Sequence, residues 1–516
     1  MPPPLVRISK SLTRFLPRHE NQARGLAQYA LDFVSGSLPP PSPAVLARLE
    51  QFHLDSVGCG VSALALGTRA PCLLRAEALD HPLPSAARGA TCFGSAVPVR
   101  LEKAVAANCA AVREWDSNGT NFGYDPSRGN TAGEFGHNDF YPVAIAAAQQ
   151  AGLDGRQTLL GMLAIDEIRG RLAEVYSLKT HKIDHVVHGA IASAAVCGAM
   201  LSATVDQIES AIGMLVAHYV PFRAIRAGKQ LSDSKGASAA LSAEAAVLCV
   251  QRAMRGFVGP ADIFRNPEAL FCLFEPPPRK GESPFDLALA TSGDDFAVMG
   301  MHFKLGLYEH QSAGAIQAVI DLLTAHPELL NDPSQLRSLR VVIYEPAFSI
   351  IADPAKRDPR TRQSADHSLP YIVARVLAKA FRTQQTGWEP LMLLPEDYED
   401  AALADPLTRQ LIANIEIRHG GLAYDAKYPD GIPTSLTVEH DALGRLESGL
   451  VMYPAGHARN TTADLAHLLD VKFQRLAALG VVDPAALRSR MSHLAGKSPS
   501  EISGLYDFEL QTDSVL

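Results

Sequence analysis

Residues 185–201 read HVVHGAIASAAVCGAML. Ala190, Ala192, Ser193, Ala194 and Ala195 are small enough to let neighbouring helices approach closely, so this stretch predicts a helix inside a bundle. The segments on either side repeat the pattern. Ala44 to Val61 starts behind a Ser42-Pro43 cap signal, and Leu101 to Trp115, Gln157 to Tyr176, Val205 to Val216 and Lys235 to Ala253 carry Ala and Leu at i, i+3, i+4 spacing. From Arg24 to about Arg255 the chain therefore reads as an all-helical bundle.

The pattern changes at residues 274–283, where Pro276, Pro277, Pro278 and Gly281 mark a linker. Beyond it come β-rich runs at Leu339 to Tyr344, Ile415 to His419, Ser435 to His440 and Gly449 to Tyr453. They alternate with helical stretches at Gln311 to Leu323 and Ser368 to Ala380. Helical periodicity returns in Thr462 to Leu479 and Pro484 to Leu494. At 516 residues the chain is too long for one core. The expected fold is mainly α with an α+β part, divided into an N-terminal tail (1–23), a helical domain (24–296), an α+β domain (297–456) and C-terminal helices (457–516) that pack back on the first domain.

Lys plus Arg total 47 against 55 Asp plus Glu, with no basic run, which speaks against nucleic acid. Apolar stretches are broken by charge before the roughly 20 residues a membrane span needs. The seven cysteines are odd in number and hold no CxxC pair, a pattern of buried free thiols rather than of disulfides or structural zinc. Arg7, Lys10, Arg14 and Arg18, with no acid before Glu20, read either as a basic tail or as a mitochondrial transit segment. The expected compartment is the cytoplasm, or the mitochondrial matrix in a eukaryote.

Four stretches could carry chemistry. Residues 115–141, WDSNGTNFGYDPSRGNTAGEFGHNDFY, form a long connection dense in Asp, Asn, Thr and His, yet too aromatic for disorder. In LKTHKIDHVVHG, His181, His185 and His188 have spacings that suggest a metal, but no HExxH occurs and Asp184 reads equally as a helix N-cap. One histidine at a helix N-terminus, where the dipole favours an anion, is the simpler reading. In RAIRAGKQLSDSKGASAA, Arg223, Arg226, Lys229 and Lys235 lie among small residues, and Lys235 opposes the dipole of the helix it opens. These are either carboxylate-binding cations or a surface basic loop. In MHFKLGLYEHQSAG, Lys304 stands in an apolar stretch beside His302 and His310, Tyr344 ends a predicted strand, and QSADHSLPY (363–371) is a polar turn before a helix. Lone lysines of this kind usually snorkel to solvent.

In this order and spacing, LDSVGCGVSAL, REWDSNGT, FGHND, DHVVHGAIASAAV, LSDSKGASAA, MHFKLGLYEHQSAG and ADHSLPYIVA make the chain resemble the MmgE/PrpD family over almost its whole length. The resemblance implies a helical domain interrupted by a smaller α+β lid, usually as a homodimer, with the active site in the cleft. It implies catalytic roles for Asp116, Thr120, His137, His185, Lys235 and Lys304, and substrate contacts from His310 and Tyr344, to which Arg223 is added. The chain departs from the dehydratase pattern between Thr120 and His137, where the spacer is longer, and Asn138-Asp139 replace a proline and a serine.

The expected partner is a small di- or tricarboxylate, and no metal or other cofactor is expected. An iron–sulfur cluster would need cysteine ligands in a recognisable spacing. Dehydrating a β-hydroxy polycarboxylate needs a base for the α-proton, an acid for the departing hydroxyl and cations for the carboxylates. The leading expectation is a metal-free 2-methylcitrate dehydratase-like lyase. Decarboxylation of cis-aconitate, epimerisation of a dicarboxylate and a non-catalytic helical dimer are the alternatives.

Overall fold

The computed structural model describes residues 13–84, 88–121, 138–226 and 232–512. The expected bundle is present: α1 (Gln22–Val34), α2 (Pro43–Ala65), α3 (Arg69–Leu79), α4 (Leu101–Arg113), α5 (Tyr141–Ala151), α6 (Gly155–Val175), α7 (Val186–Met200), α8 (Val205–His218) and α9 (Asp233–Met254). Ser42 caps α2 as its sequence implies, its Oγ accepting the Val45 N–H at 3.3 Å. All of α7 is buried, against α1, α5, α6, α8 and α9. Its small residues make this possible: a Cβ at Gly189 would stand 2.3 Å from the Phe140 ring.

The mixed part is built on a four-stranded sheet of order β4-β3-β5-β6, from β3 (Leu336–Ile343), β4 (Ile415–His419), β5 (Thr434–His440) and β6 (Gly444–Val451). Strands β3 and β4 run parallel, and the other neighbours are antiparallel. Leu339, Val341 and Ile343 alternate inward, while Arg340 points out to Glu416. The helices Ala313–Ala325 and Leu369–Thr383 belong to the core built on this sheet. Strand β6 begins five residues before the expected Gly449, because it leaves β5 by a tight hairpin and pairs from His440↔Gly444 onward.

A further difference lies in the expected N-terminal tail. Thr13–Leu16 forms β1, antiparallel to β2 (Leu287–Ala290), and Leu16 is buried against Gly25 of α1. Arg14 pairs with Asp32 and Arg18 with Asp286, so these basic residues are structural partners. All seven cysteines are free, and all except the half-buried Cys72 are buried.

Two hydrophobic clusters organise the chain. One gathers α1 to α9 with residues from 285–303 and the C-terminal segment 473–506. The other gathers 305–476 together with Cys59, Ala63 and Trp115. The helix Leu465–Ala477 packs on α2 and delivers Lys472 to the seam. Its buried Nζ donates to Asp55 (2.5 Å) and to the carbonyls of Ser117 (2.6 Å) and Lys304 (2.9 Å). Among the described residues no single helix is long and apolar enough to cross a membrane; only the bent pair of α2 and α3 passes such a test by length and composition.

Candidate active site

Helix α4 ends at Arg113, and the chain then turns through Glu114, Trp115 and Asp116 into the seam. Trp115 is buried, its Nε1 donating to Ser62 Oγ (2.9 Å) with the Arg362 guanidinium over its ring. Asp116 is the hub. One carboxylate oxygen takes a very close hydrogen bond from Lys304 Nζ, and the other accepts from Lys235 Nζ at 3.2 Å and faces His367 Nε2 at 3.1 Å. Arg113 Nη1 stands 3.9 Å away. Burial alone would raise the Asp116 pKa. Lys304, Lys235, His367 and Arg113 outweigh burial and hold the carboxyl well below the usual range.

Lys235 lies in the first turn of α9, where the dipole disfavours a cation. It is buried, with Asp366 at 3.8 Å beyond Asp116. Burial lowers its pKa despite these two acids, and Arg113 and Arg362 press the same way. Arg113 is fully buried too, but Asp116, Asp139, Asp366 and Asp184 keep its guanidinium charged. Lys235, Lys304, Arg113 and Arg362 thus gather around the two carboxylates of Asp116 and Asp366.

Thr120 and His310 adjoin this hub. Thr120 is bridged to His302 by reciprocal backbone hydrogen bonds of 3.0 Å, and its buried hydroxyl has no hydrogen-bond partner among the described residues. His302 stacks on His310 (5.1 Å between centroids), whose imidazole burial keeps neutral. His185 occupies the cap position of α7, buried, with Nδ1 3.6 Å from Asp184. Asp184, which reads from the sequence as a helix N-cap, instead precedes the cap residue His185 and accepts the Val186 N–H at 3.3 Å. Tyr344 follows β3, stacked on Tyr428 at 4.6 Å, and its buried hydroxyl also lacks a described partner. Arg223 is joined to the loop before α7, its N–H donating to Lys182 O (2.8 Å), and no described contact carries it to Asp116. His137 and Lys229 lie outside the described residues.

The two ends of the long 115–141 connection are stitched together. Asn138 Oδ1 accepts the Gly119 N–H (2.9 Å), and its Nδ2 donates to Phe52 O and Asp55, each at 3.1 Å. Asp139 is fully buried between Arg169 (3.1 Å) and Arg113 (3.8 Å). The two residues that depart from the dehydratase pattern therefore fasten the Asp116 segment to α2, α4 and α6.

Sequence reasoning missed His367, Asp366, Glu309 and Arg113. Asp366 and His367 stand in the quoted QSADHSLPY stretch, which reads as a polar turn before a helix. Ser368 does cap the helix Leu369–Thr383. The signal available was an Asp-His pair just outside that cap. Glu309 is buried, and burial together with Asp116 pushes its pKa up to about 7 against Lys304 and Lys235. Asp116, Asp366 and His367 hold ligand-type atoms within 4.8 Å of one another. Lys235 Nζ, however, stands 3.2 Å from Asp116, 3.3 Å from His367 and 3.8 Å from Asp366. An ammonium thus fills the place a metal would take, and we assign none.

Two family models match the chain in succession: the MmgE/PrpD N-terminal domain over residues 24–280 and the MmgE/PrpD C-terminal domain over 309–493. Among curated proteins the chain is similar to the 2-methylcitrate dehydratase of Salmonella typhi, 26% identical over 444 residues. The match covers 81% of this chain and 83% of that protein. It is also similar to the 2-methylcitrate dehydratases of Escherichia coli K12 and Cupriavidus necator, each 25% identical over the same shares of the two chains. Matched along both its helical part and its mixed part, the chain belongs to the MmgE/PrpD family.

Proposed function

We propose that this protein is a lyase that dehydrates a citrate-like tricarboxylic acid, 2-methylcitrate or a close relative, by acid–base catalysis without a metal. The observation that carries this reading is the meeting of Lys235, Lys304 and Arg113 around Asp116 in a buried seam. A cluster of cations shielded from water suits a substrate with two or three negative charges. The family relatives named 2-methylcitrate dehydratase support the same reaction.

In this reading the substrate carboxylates join Asp116 as counter-ions of Lys235 and Lys304, and the Thr120 hydroxyl donates to the substrate. The α-proton leaves to a base, the C–H electron pair forms the alkene, and the hydroxyl departs as water with a proton from a site acid. His137 or His185 is the proposed main proton-transfer group, assisted by Asp116, each such transfer contributing typically ~10²–10⁴-fold. Closure of the mixed part over the bundle would expel water. The protein acts as a homodimer in this reading, which sedimentation of the purified chain would test.

The deciding experiment incubates EDTA-treated protein separately with 2-methylcitrate, citrate and cis-aconitate, following alkene absorbance and CO₂ together. Alkene from 2-methylcitrate without CO₂ is the expected result. CO₂ from cis-aconitate would move the assignment to a decarboxylase. Activity that returns only with added metal would overturn the mechanism.

A further inference from the structure

His367 is the one imidazole in direct contact with Asp116 among the described residues, and its backbone is rigidly held. Ser368, next in sequence, caps the helix Leu369–Thr383, accepting the Tyr371 N–H (3.2 Å) and donating to Lys356 O (2.5 Å). On the other side, the Asp366 carbonyl accepts the Glu309 N–H at 2.7 Å. The ring spans two acids: Nδ1 is 2.5 Å from Asp366 Oδ1, closer than the 3.3 Å that separates it from Lys235 Nζ, and Nε2 is 3.1 Å from Asp116 Oδ2. Asp366 is itself fixed by Arg362 (3.5 Å) and Lys235 (3.8 Å). A carboxylate on Nδ1 sets the tautomer of a histidine and stabilises the imidazolium when Nε2 takes a proton.

Asp116 alone is poorly suited to keep a proton, since two ammonium groups and a guanidinium surround it. A proton that reaches its carboxylate needs a next acceptor, and only His367 Nε2 is an uncharged nitrogen within hydrogen-bonding distance of it among the described residues. Resting on the dehydratase reading, we propose that His367 is a proton-carrying positioning residue. Oriented by Asp366, it takes at Nε2 the proton delivered to Asp116 and returns it in the same turnover. The balance closes within the site: the proton removed from the substrate carbon passes from Asp116 to His367 Nε2, returns through Asp116 and leaves on the departing hydroxyl as water, so that both groups end the turnover as they began. Burial and Lys235 lower the pKa of the ring, with Asp366 and Asp116 opposing, so a proton taken at Nε2 is readily given back to Asp116.

Two measurements on the full-length protein test this. In the first, the ring nitrogens of ¹⁵N-histidine-labelled protein are followed without substrate, with His367→Asn assigning the signal. The expected ring carries its proton on Nδ1, and Asp366→Asn abolishes that preference. A proton resident on Nε2 alone would overturn the proposal. In the second, with the acid that wild type turns over, His367→Asn and His367→Gln should lower kcat by about 100-fold, within the range for a proton-transfer group, and change KM less than about threefold. Imidazole should partly restore His367→Gly. Turnover within about threefold of wild type, or a rise in KM alone, would refute the role. If wild type turns over none of the acids, the dehydratase reading fails, and the ring-nitrogen measurement still decides the orientation of His367.

Discussion

Asp116→Asn keeps the shape of the hub and removes its charge, which isolates the electrostatics of the site. The carboxylate faces Lys235 Nζ at 3.2 Å, Lys304 Nζ more closely still, and Arg113 at 3.9 Å, all buried. One unit-charge pair at 3.2 Å is worth about 5 kcal/mol at an effective dielectric constant of roughly 20. Measured losses on breaking a buried pair are about 3–5 kcal/mol. Lys235 keeps Asp366 as a second acid, so the lower part of that range applies to its share. For 516 residues the unfolding entropy is about 1.1 kcal/mol/K, and the melting midpoint of the variant should fall by about 3–5 °C at pH 7. Tricarballylate, an unreactive tricarboxylate, should raise the variant's midpoint more than that of wild type by replacing the lost counter-ion. Trp115, one of only two tryptophans, adjoins Asp116 and gives a fluorescence reading of the same titration in a Trp388→Phe background. A variant that melts within 1 °C of wild type and gains nothing extra from the tricarboxylate would mean that these lysines are not buried cations, and the carboxylate-binding argument would fall with them.

Lys472→Met removes the only described cation on the buried Asp55 and three hydrogen bonds. It should destabilise the protein by about 3–5 kcal/mol, and adding Asp55→Asn should recover part of the loss in the same melting assay. Gly189→Ala forces a methyl to within 2.3 Å of the Phe140 ring, which also lies under Arg169. Overpacking of about 1–3 kcal/mol follows, read as a lower melting midpoint. Glu309 has its carboxyl raised to about 7, so its neutral form contributes stability fully below about pH 4.5 and loses it as pH rises through about 7. Glu309→Gln should flatten the melting curve against pH across that window and gain about 3 kcal/mol over wild type above it. An unchanged pH profile would place Glu309 outside the buried charge network.

How much was legible depended on whether a residue's reason was local. Lys235 stood out because it is a cation with no local excuse in the first turn of an Ala-rich helix, whereas Lys304 read alone as a lysine that snorkels to solvent and was singled out by the family resemblance; both proved to be buried on Asp116. Arg113 and the Asp366-His367 pair had local excuses. An arginine suits a helix C-terminus, and an acid beside a Ser-Leu-Pro cap suits a turn, so nothing in the sequence distinguished them. Strand β1 escaped because its partner is β2, more than 270 residues away, and four residues in a basic segment show no periodicity. The bundle was legible because Ala-rich spacing is a local property. The position of Asp139 was not, since only the fold shows a fully buried acid between Arg169 and Arg113.

Lys235 carries this argument one step further. A helix designed only to be stable would carry acids in its first turn, as α9 does at Asp233, and would not bury a lysine there. The charge is tolerated because Asp116, from the end of α4, and Asp366, from the segment before the helix Leu369–Thr383, both reach it. These acids lie 119 residues before it and 131 residues after it in the chain. Lys304 and Lys472 add two further crossings between the same regions. The stability of α9's first turn is thereby tied to the packing of both hydrophobic clusters, and the cation pair is assembled only when they meet. Cutting the chain in the 274–283 linker should therefore abolish tricarballylate binding by the isolated bundle, even where its helices persist by circular dichroism. Full-affinity binding by that fragment would show that the helical half holds its cations without the acid supplied by the other.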